Sequence, residues 1–506
     1  MSDRILALVV FFSGMTSLGL ELAASRLFAP YFGVSLIIWA NLIGLILIYL
    51  TLGYYLGGRW ADRDPRLQTL YHIVGWGGFT SGVLPFVAKP LLDLAIPALQ
   101  NFDAGLGATS FFGTLILFAA PVTLLGCVTP FALRLRTHDL NAVGATAGKL
   151  YALSTLGSIL GVYLTTFVLI PNLGTRRTFA LLALILLALA AFALWQRVGL
   201  LRALPYAGLA LIIVLLATIG ESSIVKATPG LVIEAESPYN FIQVIRDGDG
   251  LYLTVNEGQA YQSVYYPNTI LLNGYWDLML IAPSLRSNEP PQSLLVIGLA
   301  AGTIPKQYSL VYPNIKMDGV EIDPQIIALG KKYFEMNEPN LRAIVDDGRA
   351  FLRRREAGIY DVIAVDAYHQ PYIPFHLATV EFFQELEPHL SPRGVIAINA
   401  AGLPNDKRLA NAIAATLHQV YPTVVMIDHP NGANTVILAS PEHVDLDSFR
   451  ARLADLHDPT LRYAAGIAAA HLYLPPADQP VFTDDRAPVE DLVHSIIIDA
   501  ALGGKP

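Results

Sequence analysis

The chain has 506 residues, 54% hydrophobic and only 15% charged, with a formal charge of -8 and a mean hydropathy of +0.48. That is too apolar for one soluble globule and long enough for two domains, so a membrane protein is the expected class. The single cysteine, Cys127, excludes a disulfide framework and a cysteine-ligated zinc site, and the acidic balance disfavours nucleic-acid binding while suiting small cationic substrates.

The apolar mass lies before about residue 220. Segments near 5–24, 34–57, 70–92, 109–133, 148–170, 178–196 and 203–220 each offer roughly the 20 apolar residues a bilayer core requires, which predicts seven spans in a domain over residues 1–222. Residues 1–24 lack a small-residue cleavage site and are expected to stay as the first span. Arg4, the Arg59, Arg63 and Arg66 group, Arg134, Arg136 and Lys149, and Arg197 with Arg202 fall on one side of these spans, and Arg26, Lys89, Arg176 and Arg177 on the other. The excess of basic residues puts the N-terminus in the cytoplasm, and an odd number of spans then carries the C-terminal half to the opposite face. Glu21, near the end of the first span, reads as a structural ion pair or as an intramembrane functional acid. "GYYLGG" (53–58) and "STLGSILG" (154–161) predict close helix packing.

After about residue 225 the pattern changes. "LVIEAESPYNFIQVIRD" (231–247) and "GLYLTVNEGQAYQSVYY" (250–266), joined by "DGDG", read as hairpin strands of a small β-subdomain over 223–290. In 291–506, strand candidates at 294–298, 316–321, 342–345, 360–366, 394–399, 422–428 and 434–439 alternate with helical segments at 303–310, 324–334, 347–355, 376–387 and 405–418. Such alternation predicts an α/β domain with a doubly wound, mostly parallel sheet.

Ligands of such sheets bind beyond the carboxyl ends of the strands. There Gly298 and Gly302 of "GLAAG" allow a first turn to approach a ligand, and Glu321 of "VEIDP" ends the second strand in place to accept both hydroxyls of a ribose. Asp346 and Asp347 of "DDGRAF" follow the third strand, with Asp347 suited to an adenine amino group, and Asp366 of "VDAYHQP" ends the fourth. Each alone also reads as a turn or helix cap; the ordered set predicts a nucleoside site. His376, His429 and Asp428 show no ligand spacing on one face, so no metal is expected. Asp484, Asp485 and Glu490 of "FTDDRAPVED" read as pocket-closing or amine-binding acids, or equally as capping and surface residues.

"ESPYN" (236–240), "NEGQAYQS" (256–263), "YWDLMLIAP" (275–283), the glycine loop, "VEID", "DDG" and the Asp-ended fourth strand together resemble, in that order, the spermidine synthase family of polyamine aminopropyltransferases. With the apolar half, "SGMTSLGLELAASRLF" (13–28) and "TDDRAPVED" (483–491), the chain resembles the bacterial membrane-fused branch of that family. The resemblance implies a Rossmann-like, class I methyltransferase-like domain behind the small β-subdomain. It would transfer the aminopropyl group of decarboxylated S-adenosylmethionine, a co-substrate rather than a tightly bound cofactor, to a small cationic amine such as putrescine or spermidine, releasing methylthioadenosine. It further implies that Glu321 holds the ribose, Asp347 the adenine, and Asp366 the attacking amine, as its base. Tyr239 and Tyr275 would match family tyrosines that wall the amine pocket, and Gln262, preferred over Gln259, would match the family glutamine; Tyr368 reads as a further wall for the amine or equally as a loop aromatic packed on the domain. A cytosolic donor sets the catalytic domain in the cytoplasm, against the span parity and charge bias. The partners implied are the amine and the lipid bilayer, with a homodimer as an option.

Three departures bear on donor and acceptor. Ala301 stands where the family's glycine loop has the acidic residue that meets the donor's amine, His369 and Gln370 precede Pro371 where a second acid is common, and Tyr275-Trp276-Asp277 replaces a Tyr-His-Glu or Tyr-Gln-Glu run. S-adenosylmethionine-dependent methyl transfer on the same fold, and a non-catalytic polyamine sensor or transport accessory, are the competing readings.

Overall fold

The computed structural model describes residues 2–33, 36–100, 106–137, 143–219, 225–226, 228–258, 260–356, 359–368, 372–402 and 406–501. The chain forms two compact units, one of Met1–Ala227 with Glu236–Phe241, the other of Thr228–Ala235 with Ile242–Pro506. Gln259 and the run from His369 to Pro371 lie outside the described residues.

The first unit is helical. It contains α1 (Ser2–Phe32), α2 (Leu36–Arg63), α3 (Leu67–Gln100), α4 (Leu106–Leu117), α5 (Ala119–Gly126), α6 (Val128–Arg136), α7 (Val143–Leu164), α8 (Ile170–Val198) and α9 (Leu200–Ile219). Among the described residues four stretches are long and apolar enough to cross a membrane, Asp3–Phe32, Ile38–Arg63, Val143–Val198 and Leu200–Thr218. Ser110–Leu117 with Ala119–Arg136, bent by 52°, makes a fifth if taken as one span. The sequence reading expected seven, and two features account for the difference. Val143–Val198 has 56 residues, about 84 Å as a straight helix against a core of roughly 30 Å, and it breaks at Gly174, whose φ is +78°. The apolar character of α3 is diluted by Gly75, Gly77, Gly78 and Gly82, of which Gly75 faces the Tyr206 ring and Gly82 the Ala183 methyl. The expected small-residue contacts are present. A Cβ on Gly157 would lie 2.0 Å from the Phe11 carbonyl and one on Gly161 2.1 Å from that of Met15, so α1 and α7 approach to backbone distance.

The second unit begins with a four-stranded sheet of β1 (Leu231–Glu236), β2 (Phe241–Asp247), β3 (Gly250–Val255) and β4 (Tyr261–Tyr265), in that spatial order. β2 and β3 pair antiparallel through the expected turn at 247–250. After α10 (Tyr275–Met279) the chain alternates as β5 (Ser293–Ile297), α11 (Thr303–Val311), β6 (Lys316–Glu321), α12 (Pro324–Tyr333), β7 (Leu341–Val345), α13 (Gly348–Leu352) and β8 (Tyr360–Val365). It continues as α14 (Val380–Leu386), β9 (Leu390–Ala401), α15 (Arg408–His418), β10 (Thr423–Asp428), β11 (Asn434–Ser440), α16 (Leu446–Ala454), α17 (Pro459–His471), β12 (Leu472–Tyr473) and α18 (Val489–Ala501).

These strands form one sheet in the order β12-β10-β11-β9-β8-β5-β6-β7. β7, β6, β5, β8 and β9 run parallel, while β9, β11, β10 and β12 pair antiparallel, so the expected mostly parallel sheet holds for one half only. Helices cover both faces, which is why residues 294–297 of β5 and 362–365 of β8 read as unbroken apolar runs: Leu294, Val296, Val362 and Ala364 face one core, and Leu295, Ile297, Ile363 and Val365 the other. The strand order reverses between β5 and β8, the kind of point at which open α/β sheets bind their ligands.

Candidate active site

The loop after β5 lies at this switch point. The amides of Gly298 and Leu299 donate to the Val320 carbonyl at 2.9 and 3.0 Å, which bends the chain over the end of β6. Gly298 has φ +89°, and a Cβ there would lie 2.5 Å from the Asp366 carbonyl oxygen. Gly302, φ +92°, would strike Met336 in the same way. In the structure the two glycines also give room to the chain leaving β8 and to a methionine side chain. Between them Ala300 sits at φ +48°, uncommon for a residue with a side chain, and its amide donates to Glu321 Oε2 at 2.9 Å.

Glu321 ends β6 at 8% exposure. Its Oε1 accepts from the Asp323 amide at 3.1 Å, while Asp323 itself caps α12. Burial pushes the Glu321 carboxyl up to about 7, against the pull of the Ala300 and Asp323 amides. Two accepted bonds leave lone pairs on a carboxylate, which has about four acceptor sites, so the group retains capacity for hydroxyl donors.

Asp366 follows β8, its amide donating to the Ile297 carbonyl at 2.8 Å. Its two oxygens are held separately: Oδ2 accepts from the Tyr275 hydroxyl at 2.7 Å and Oδ1 from Asn399 Nδ2 at 2.9 Å. Asn399, near the end of β9, has its own Oδ1 fixed by Asn434 Nδ2 at 3.0 Å from the start of β11, so its amide orientation is set. Burial pushes the Asp366 carboxyl up to about 7, opposed by the hydrogen bonds from Asn399, Tyr275 and Trp276. A carboxyl aligned by two donors and titrating near neutrality is suited to accept a proton from an amine.

The other expected residues divide. Tyr275 is buried beside Asp366, with the Trp276 ring 4.4 Å from its own. Tyr368 lies two residues after Asp366, its hydroxyl donating to the Asn399 carbonyl at 2.9 Å and accepting from the Ala401 amide, so its ring face is what it can offer a ligand. Gln262 is half-buried in β4, at a register shift where Leu253 pairs with Ser263 and Thr254 with Tyr261, leaving Gln262 bulged between them. The neighbouring Ser263 accepts from the Ala301 amide, and Thr303 exchanges hydrogen bonds with the Val264 backbone, which staples β4 to the glycine loop. Tyr239 is 40% exposed on the Glu236–Phe241 segment, which groups with the helical unit. There Glu236 accepts from the Thr175 amide and hydroxyl at 2.9 and 2.6 Å.

Asp347 caps α13, accepting from the Ala350 amide at 2.8 Å, and its other oxygen lies 3.6 Å from His376 Nε2. Asp346 accepts from the Asp347 amide and pairs with Arg354. The Asp484 carboxylate pairs with the buried Arg349 and accepts from Thr379, and Arg349 also pairs with Glu385. Ala301, at the motif position of an acid, is buried and apolar. Asn399 and Asn434 escaped the sequence reading, since an asparagine near a strand end carries no spacing signal. Among the described residues no group of three or more His, Cys, Asp or Glu side chains is arranged to hold a metal ion.

The sequence profile of the Spermine/spermidine synthase domain matches residues 278–446. The chain is 32% identical over 294 residues to a protein of Bifidobacterium longum (strain NCC 2705) described as "Probable polyamine aminopropyl transferase", covering 54% of this chain and 65%, just under two thirds, of that protein. It is 31% identical over 231 residues to the polyamine aminopropyltransferase of Vibrio vulnificus (strain CMCP6), covering 44% of this chain and 73% of the relative. At 27% identity over 207 residues it is also similar to putrescine N-methyltransferase 1 of Nicotiana attenuata, covering 38% of this chain and 53% of that protein. By its match to nearly three quarters of the Vibrio protein, the chain belongs to the polyamine aminopropyltransferase family.

Proposed function

We propose that the protein is a membrane-bound polyamine aminopropyltransferase that moves the aminopropyl group of decarboxylated S-adenosylmethionine to an amine such as putrescine or spermidine and releases methylthioadenosine. The observation that carries this reading is Asp366, a carboxyl held by Tyr275 and Asn399 and raised to about 7 at the switch point of the sheet. In this reading Glu321 receives the ribose, Gln262, Gly298, Gly302, Asp346 and Asp347 surround the donor, and Tyr275 and Tyr368 line the amine side. The helical unit crosses the cell membrane of a bacterium, and the catalytic unit faces the cytoplasm, where its donor is made. Protease access to the catalytic unit in inverted but not in right-side-out vesicles is the expected result for that sidedness.

A second reading is supported by Ala301. A buried alanine in place of the motif's acid removes a partner for the donor's ammonium and, with it, a charge that would repel the carboxylate of intact S-adenosylmethionine. Incubating the purified full-length protein with each donor and a panel of amines, then weighing the products, separates the two. The expected product is an amine heavier by an aminopropyl group, formed with methylthioadenosine. A methylated amine with S-adenosylhomocysteine would replace this reading by the second.

The pH dependence of kcat/KM offers a test of the base. Because the base acts deprotonated, activity should be lost as pH falls through about 7. Asn399→Leu removes a bond that favours the charged carboxylate, so the acid limb should move upward by about one pH unit, the scale of a hydrogen bond to a charged group. A pH profile that keeps its acid limb in this variant would detach Asn399 from the titrating group.

A further inference from the structure

The helical unit contains a polar cavity that the transfer chemistry does not use. It has a volume of about 430 Å³ and lies where α1 begins, α2 turns into α3, and α6 and α8 end, lined among others by Asp3, Arg66, Gln68, Leu135, Arg136 and Arg197. Arg66 is paired with Asp64 across the turn, and Arg136 lies 3.4 Å from Asp3. Arg197 makes no ion pair among the described residues, and Arg202 reaches Gln68 Oε1 at 3.5 Å. Three guanidinium groups, of Arg66, Arg136 and Arg197, therefore line the cavity with one carboxylate, Asp3, and Arg202 adds a fourth at its Gln68 wall.

The surroundings are those of a lipid–water boundary. Trp60 near the end of α2 and Trp195 near the end of α8 are 39% and 55% exposed, and indoles concentrate at the headgroup level of membranes. On the other side of the α2–α3 turn an apolar cleft of about 490 Å³ is lined by Trp60, Thr69, His72, Ile73, Trp76 and Leu124, among others. A basic polar cavity and an apolar cleft flanking one turn suit a ligand with an anionic head and a hydrocarbon tail. Guanidinium forks match the paired oxygens of a phosphate ester, and basic pockets between membrane helices favour such headgroups.

We propose that this cavity binds the phosphate-ester headgroup of an anionic phospholipid, whose acyl chain lies along the neighbouring cleft. The shared chemistry, a phosphate ester, also occurs in soluble metabolites, and the test separates the two sources. Full-length protein in detergent is titrated with phosphatidylglycerol, phosphatidylethanolamine or glycerol 3-phosphate and examined by native mass spectrometry. Phosphatidylglycerol is expected to be retained at least about 10-fold over phosphatidylethanolamine, and glycerol 3-phosphate at equal concentration should not displace it. Arg136→Gln with Arg197→Gln should bring the two lipids to within about 2-fold while transfer activity in detergent is kept. The exposed Arg197→Gln alone should lower the preference at least about 3-fold, and Arg59→Gln, outside the cavity, should leave it unchanged. Equal retention of both lipids by the parent protein, or a preference that survives in the double or single Arg197 variant, would overturn the proposal. Displacement by glycerol 3-phosphate would overturn the lipid and leave a soluble phosphate ester as the ligand.

Discussion

Asp366→Asn is expected to lower turnover at least about 100-fold while leaving the fold and the affinity for methylthioadenosine in place, the loss typical of removing a positioned general base. The argument starts from the acceptor. An alkyl amine has a pKa near 10 and arrives protonated at neutral pH, whereas a sulfonium leaving group departs readily, so the enzyme's task is to supply a free, aligned nitrogen. A carboxyl raised to about 7 can take that proton, and an ordinary aspartate, far more acidic, would hold it poorly. Asparagine keeps the size of the side chain and one acceptor oxygen for the Tyr275 hydroxyl, but it has no basic site, and its amide nitrogen meets the Asn399 donor. Single-turnover product formation, with calorimetry for methylthioadenosine and circular dichroism for the fold, reads the three quantities separately. Near-normal product formation would remove Asp366 from the mechanism.

How much of the fold was legible in the sequence depended on which interactions are local. The central strands were readable because burial on both faces demands continuous apolar runs, and the acids that end them stood out against that background. The antiparallel half was less so: β10 and β11 were located but not their direction, because direction depends on a connection too short for a crossover rather than on the strands' composition. Asp347 and Asp484 carry charge in the expected places, but the sequence does not show that one also caps a helix and the other pairs with Arg349, 135 residues away in sequence, since no spacing rule distinguishes a partnered acid from a free one. Asn399 and Asn434 are invisible for the converse reason. Each is unremarkable until β9 and β11 pair, which sets Asn434 on Asn399 and Asn399 on Asp366. The span count shows the limit of composition alone: α3 is rich in glycine because it packs against neighbouring helices, and that same glycine lowers its apparent fitness for a bilayer.

Glu321→Ala is expected to weaken methylthioadenosine binding by about 1.5–3 kcal/mol, the range for hydrogen bonds to a charged group. The wild-type site makes a second, sharper expectation. Burial holds the free Glu321 carboxyl near 7, so at neutral pH a large fraction is protonated. Two ribose hydroxyls donating to the carboxylate favour its charged form, which lowers its pKa on binding. Binding near pH 7 should therefore release a fraction of a proton, and affinity should fall as pH drops through about 7, because the ligand then has to displace a bound proton. The same sign governs stability of the unliganded unit: a carboxyl raised in the folded state adds stability at acid pH that is lost as pH rises from the ordinary carboxyl range toward 7. Ligand and protein thus pull this group in opposite directions, and calorimetry in buffers of different ionisation heat measures the exchange directly. Glu321→Ala should abolish both the proton release and the pH dependence of binding, while Glu321→Gln, unable to titrate, should abolish the release yet retain part of the affinity. If proton release persists unchanged in Glu321→Gln, another group titrates with the nucleoside, and the ribose lies away from β6.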